Sequence, residues 1–323
     1  MPPQMCGGFI ADRCRDAELS SNRPTDVDGH NKSLQLSPQR SLESVHVGLN
    51  SISFWFDAAG QLNSMLWGLE VRVPQRTTDR DMTKEHRLSV QTSDKVAELP
   101  VAPGFRAGIS LSAAGSMVFP LSGFLQGRAR FLTAIKVSGV IFGSHQVHSR
   151  SAVVVAGAVP ADVSRVDADA MVTNRQDAVL TYIVADCLPI FLADIETGAF
   201  GLVHSGWKGT GIATVAIQRM VSLYGCRPQN IQATIGLGIG VCCYRVPEER
   251  GHYFEDNFGA DTVVWDASDA PRIDLRKANI HLLHDAGVQR ITVTADCTFT
   301  SPYLGSFRRD GARHIRMLAF ICR

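Results

Sequence analysis

The distribution of apolar and polar positions divides the chain near residue 95. Before it, stretches such as SSNRPTDVDGHNKSLQLSPQRSLES and RTTDRDMTKEHRLSVQTSDK hold neither a helical nor a strand period. They offer too little apolar surface to offset the entropy of ordering, so residues 1–95 read as a largely disordered extension. Between them, Ser51 to Val73 gathers Phe54, Trp55, Phe56, Leu62, Met65, Leu66 and Trp67. That patch is either an element that docks on the main body or sequence upstream of an internal start at Met82.

Beyond residue 95 short β-branched runs alternate with helical patterns. Ala152–Ala158, Val179–Val184, Phe200–His204, Ile231–Ile235, Thr262–Trp265 and Ile291–Thr294 are bounded by Gly, Pro or Asp and predict strands. Thr210 to Tyr224 predicts a helix with Ile212, Val215, Ala216, Met220 and Leu223 on one face and Gly225 as its stop. Asp274 predicts the cap of a second helix running to Ala286, with Leu275, Ala278 and Leu282 along one stripe and Gly287 beyond. Interleaved strands and helices predict an α/β (α+β) fold of layered mixed sheets flanked by helices, with one catalytic domain over 96–323.

Composition narrows the function. The 323 residues carry 32 basic and 31 acidic side chains, a formal charge of +1. That balance lacks the basic footprint of a nucleic-acid binder or of a protein drawn to anionic membranes. The longest apolar stretch, Ala152 to Val159, falls well short of the roughly 20 residues that span a bilayer. The N-terminus lacks the basic lead and apolar run of a signal peptide. The eight cysteines follow no disulfide framework and no zinc-ribbon spacing, and adjacent Cys242 and Cys243 are poorly placed to bond each other. Free thiols in a reducing, cytoplasmic setting are therefore expected.

Polar residues at strand ends mark three places where chemistry could converge. SHQVHS holds His145, Gln146 and His148; YIVADCLPIFLAD sets Asp186 and Cys187 after an apolar run; GLVHSGWKGTG ends a strand at His204. Two imidazoles and a thiolate suit zinc, and three protein ligands leave a fourth position open, as in catalytic sites. The separations are long, and a structural histidine or a buried thiol explains each residue singly. The glycines of GWKGTG could bring backbone N–H groups and Lys208 to an anion, although the Walker A spacing is absent. IGLGIG does not have the dinucleotide-binding spacing.

These residues also carry a resemblance. Gln146-Val147-His148, Ala185-Asp186-Cys187-Leu188-Pro189, His204-Ser205-Gly206-Trp207-Lys208-Gly209, Ile235 to Val246, Cys297-Thr298 and Ser306 to Gly311 resemble, in order and separation, the motifs of the multicopper-polyphenol-oxidase-like, or laccase-domain, family of purine nucleoside phosphorylases. The resemblance covers about residues 100–323. It departs at Ser205 for the family's Ala, at Lys208 for its Arg, and at Leu237-Gly238. It implies that His148, Cys187 and His204 hold zinc, with copper as the alternative. It implies phosphorolysis of adenosine, inosine and S-methyl-5′-thioadenosine, together with adenosine deamination. Lys208, Arg106, Arg308 and Arg309 are then candidate partners of phosphate, and Asp186 is a candidate to orient a ligand or carry a proton. A thiol hydrolase built on Cys187 and His204, acting on peptidoglycan amides, is the main alternative. Copper-dependent phenol oxidation is the weaker one, because the chain lacks the His-x-His pairs of multicopper sites. Small molecules are the expected partners; the oligomeric state is not legible.

Overall fold

The computed structural model describes residues 43–47, 50–56, 62–64, 83–89, 94–118, 124–157, 160–267 and 269–323. The chain divides into two compact units, Met1–Thr77 and Thr78–Arg323. In the first, β1 (Glu43–Val47), β2 (Asn50–Phe56) and β3 (Leu62–Ser64) form an antiparallel meander, with Glu43 opposite Phe54 and Phe56 opposite Leu62. Most of the extension expected to lack order, and Met82 with it, lies outside the described residues.

The second unit is built on two mixed sheets. A seven-stranded sheet runs in the order β4 (Lys84–His86), β16 (Arg290–Thr294), β13 (Ile231–Ile235), β11 (Leu188–Asp194), β12 (Phe200–Ser205), β9 (Ala170–Thr173) and β8 (Ala152–Val154). A five-stranded sheet runs β5 (Val96–Leu99), β6 (Arg106–Ser110), β17 (Met317–Cys322), β10 (Ala178–Val184) and β7 (Val140–Phe142). A hairpin, β14 (Val263–Asp266) and β15 (Asp269–Ile273), completes the strands. The helices are α1 (Phe124–Ala134), α2 (Pro160–Val163), α3 (Ile212–Tyr224), α4 (Glu248–Phe258), α5 (Leu275–Asp285) and α6 (Phe307–Asp310). Because β4 pairs in parallel with β16, this unit draws on residues before 96.

Period-two alternation explains the layering. In β17, Met317, Ala319 and Ile321 face the core between the sheets, while Leu318, Phe320 and Cys322 face Phe131 and Leu132 of α1. In β11, Phe191 and Ala193 enter the inter-sheet core, whereas Leu188, Ile190 and Leu192 pack beneath α3, α4 and α5. Strands buried on both faces are apolar at nearly every position, which is why the sequence shows runs rather than alternation.

The helix signals act at the positions expected, but the buried faces differ slightly. Gly225 adopts a left-handed φ of 68°, its N–H donates to the Val221 carbonyl and the Cys226 N–H donates to that of Met220. The Asp274 carboxylate accepts from the Lys277 N–H and caps α5. In α3 the buried face is Ile212, Ala213, Ala216, Ile217 and Met220, and Leu223 is exposed. In α5 Leu283 rather than Leu282 is buried. A 3.6-residue period leaves two neighbouring stripes nearly equivalent, and the packing partner decides between them.

Candidate metal centre

The chain leaves the five-stranded sheet at Val184, bends through Ala185-Asp186-Cys187 and enters the seven-stranded sheet at Leu188. Asp186 takes a φ of 81° at this bend. Leu188 pairs with Ser205 and Pro189 with His204, so Cys187 and Gly206 meet at the open end of the β11–β12 ladder. A Cβ at residue 206 would stand 2.8 Å from Cys187 Sγ and 3.2 Å from His148 Cδ2, so only glycine fits there. His148, with a φ of 59°, arrives on the loop between β7 and β8. Gln146 fastens that loop to β10: its side-chain N–H donates to Ile183 O at 2.8 Å and its oxygen accepts from the Ile183 N–H at 2.9 Å.

One ligand atom from each of His148, Cys187 and His204 lies within 4.8 Å of the others. Two ligands on a tetrahedral zinc stand about 3.3–3.6 Å apart, a spacing compatible with that limit. The support beneath it is Asp169, wholly buried beside His204, which is 3% exposed. One Asp169 oxygen lies 2.8 Å from His204 Nδ1; the other accepts from the Val147 N–H at 3.2 Å, the Ser149 N–H at 2.6 Å and the Ser149 hydroxyl at 2.9 Å. A carboxylate only accepts, so Nδ1 carries the proton and Nε2 is left to face the thiol and an ion. Burial pushes Asp169 up, but the bonds from His204 and Ser149 outweigh it and hold the group near 2.

Cys187 and His204 each favour the charged form of the other. Burial pushes the Cys187 thiol up, but the charge of His204 and the hydrogen bonds from both imidazoles bring it down to about 6. Burial alone would keep His204 neutral; the Cys187 thiolate and Asp169 raise it to about 9. A nitrogen–nitrogen–sulfur set with a thiolate already favoured, one imidazole fixed by a buried carboxylate and a glycine cradle fits a borderline divalent ion such as zinc.

A cationic rim surrounds this end of the sheets. Lys208 is exposed with Nζ 5.5 Å above the Trp207 ring, and the Arg250 guanidinium lies 4.0 Å above the same ring. Arg308 lies 5.1 Å over Tyr244. Burial, then the nearby Cys187 charge, raise the Tyr244 hydroxyl to about 12 against the pull of Arg250 and Arg308. Asp186 accepts from the Thr298 hydroxyl at 2.6 Å and from the Arg308 N–H at 2.7 Å, tying the bend to the C-terminal segment.

Two sequence candidates are engaged by other partners, one of them far from this end. Arg106 pairs with Cys322, which pairs with Val179, so it sits at the far end of the five-stranded sheet, with the whole of β10 between it and the bend. From Val179 to Val184 alone is about 16 Å of strand. There its guanidinium is bound by Glu98 and the carbonyls of Ile135 and Lys136. Arg309 donates to the carbonyls of Thr298, Phe299, Ser301 and Leu304 and to Asp310, a wholly structural set. Sequence reasoning did not single out Asp169, Tyr244 or Arg250. An acidic residue entering the apolar run of β9 was the one signal for Asp169. The departure at Ser205 has a local cause: its hydroxyl donates to Asn279 of α5 at 3.1 Å, both side chains buried.

Stacked mixed sheets with an imidazole–thiol–imidazole cluster at one end define a class: a layered α/β domain with a three-residue His–Cys–His group suited to a metal ion. Residues 124–323 match the family described as Multi-copper polyphenol oxidoreductase laccase, and the chain belongs to it. Over 122 residues it is 35% identical to a Homo sapiens protein named Purine nucleoside phosphorylase LACC1, covering 37% of this chain and 28% of that protein. A Deinococcus radiodurans protein named Purine nucleoside phosphorylase is 37% identical over 157 residues, 48% of this chain and 61% of the relative. These matches thus span less than two thirds of either relative. The fold is that of YlmD from Geobacillus stearothermophilus, with a TM-score of 0.65 at 24% identity over 73% of this chain and 98% of that one.

Proposed function

We propose that the chain is a zinc-dependent purine nucleoside phosphorylase acting on adenosine, inosine and S-methyl-5′-thioadenosine, with adenosine deamination as a second activity of the same site. The observation that carries this reading is the convergence of His148, Cys187 and His204 on Asp169, beside a rim of Lys208, Arg250 and Arg308. It is supported by the relatives named purine nucleoside phosphorylase. His148, Cys187 and His204 would hold the zinc, with copper as the alternative ion, and it would supply a Lewis acid at the mouth of the site.

In phosphorolysis an oxygen of phosphate bonds to C1′ of the ribose as the C1′–N9 bond breaks. The bonding pair passes to the purine, which takes a proton, and ribose 1-phosphate is formed. Lys208 and Arg308 offset the charge of the incoming dianion, and Arg250 holds the Trp207 ring as one wall of the site. Asp186 positions rather than reacts, because both of its oxygens are engaged by the segment that delivers Arg308. In deamination, water adds at C6 of adenine and ammonia departs. Tyr244, kept protonated by its surroundings, can donate a hydrogen bond to the bound base.

The test is product analysis on metal-assayed protein. Adenosine and phosphate should give adenine and ribose 1-phosphate, and Cys187→Ala should remove metal and product together. Full activity in that variant would reject the reading.

One observation favours a second reading. Cys187, His204 and Asp169 also line up as nucleophile, base and orienting carboxylate. Cleavage of a muropeptide amide by chelator-treated protein, with no nucleoside turnover, would establish that alternative.

A further inference from the structure

A second group of soft donors lies outside this centre. Cys297 follows β16, and Cys242 and Cys243 sit in the turn that follows β13; their sulfurs all lie within 4.8 Å of one another. The two loops are fastened together before any ion arrives. Gly238 bridges to Cys297, and the Thr298 N–H donates to Gly238 O at 3.1 Å. One nitrogen of Arg276 donates to Gly238 O at 2.9 Å and to Asp296 O at 2.7 Å. The Gly240 N–H points at Cys297 Sγ from 3.1 Å. A Cβ on Gly240 would fall 3.2 Å from Cys242 Sγ and 3.3 Å from Arg276 Nη1, so the guanidinium stands beside the sulfurs. Cys242 and Cys297 line a cavity of about 390 Å³ together with Asp296, Thr300, Tyr303 and Arg87, which gives an ion a route in.

We propose that Cys242, Cys243 and Cys297 form a second metal site, one that takes a single cuprous ion in three-coordinate sulfur ligation. Thiolates select soft ions, and zinc in a closed site takes four ligands where this group supplies three. Three thiols release their protons as the ion binds, leaving an assembly of charge −2 that the Arg276 guanidinium partly offsets. The exposed Cys242 admits the ion and the buried Cys297 anchors it. No electron transfer is involved, because the ion arrives already reduced.

The site does not rest on the phosphorylase reading, so the full-length chain carrying Cys187→Ala is the background for its test. Under anaerobic conditions with ascorbate, cuprous ion is delivered from a bathocuproine disulfonate complex and uptake is followed by thiolate-to-copper absorption. One equivalent is expected. Cys242→Ser in the same background should weaken uptake at least tenfold while the circular dichroism spectrum stays unchanged; that exposed position serves in case substitution of buried Cys297 impairs folding. Unaltered uptake in Cys242→Ser would overturn the proposal, as would preferential retention of zinc when both ions compete for the Cys187→Ala protein.

Discussion

Among the described residues, two groups of side chains have the composition and spacing to take a metal ion, and they are assembled by different means. At His148, Cys187 and His204, a buried carboxylate sets one ring and the loop that carries the other, and both rings act on a single sulfur. At Cys242, Cys243 and Cys297, backbone N–H groups and a guanidinium organise three sulfurs with no imidazole among them. One fold thus gathers a mixed imidazole–thiol set and an all-sulfur set. What distinguishes them is the set of neighbours around each thiol rather than the thiols themselves.

The comparison breaks most visibly at Cys187. Cys187→Ala should leave the first group without an ion and lower phosphorolysis by more than roughly 100-fold, since loss of an outer supporting group alone costs 10–100-fold. Inductively coupled plasma measurement and product chromatography read the two effects. Asp169→Asn comes next: metal affinity should fall about 10–100-fold, and urea unfolding should show a loss of about 2 kcal/mol from donors left with a poorer partner. In metal-free protein, Cys187 should alkylate at a constant rate above about pH 6 and tenfold more slowly for each unit below it. Cys226, raised to about 11 by burial first and by Asp194, should stay inert across that range in peptide mass spectra. Lys208→Met should raise the KM for phosphate about tenfold while metal content holds, as expected for loss of one charge-assisted contact. The smallest effect belongs to Arg106→Met: activity unchanged and less than about 1 kcal/mol of stability lost, because its partner Glu98 is half exposed.

How much of this was legible in the sequence depends on range. Local signals read well: Gly225 and Asp274 act as the stop and the cap that their positions imply, and Ile231–Ile235 is a strand end to end. The convergence of His148, Cys187 and His204 was legible through strand-end residues and ordered motifs, because a histidine, a cysteine and a glycine at the ends of adjacent strands are recognisable before their pairing is known. Asp169 was not, since a single acidic side chain beside an apolar run gives no sign of the four hydrogen-bonding groups that meet it. Arg106 was misplaced for the complementary reason. Its distance from Cys187 is set by the pairing of β6 with β17 and of β17 with β10, and antiparallel register across three strands is not written in any one of them. The sulfur group escaped because its members belong to separate loops that only the β13–β16 pairing brings side by side.

The central claim is that two imidazoles and one thiolate share an ion. Cobalt substitution followed by optical spectroscopy tests it most directly, because sulfur-to-cobalt charge transfer and d–d bands report ligand type and coordination number together. The full chain should bind one cobalt with a single thiolate in a four-coordinate field. Cys187→Ala should abolish the charge-transfer band, and a chain with Ser at 242, 243 and 297 should keep it. A band that survives Cys187→Ala but vanishes in the triple Ser variant would contradict the account.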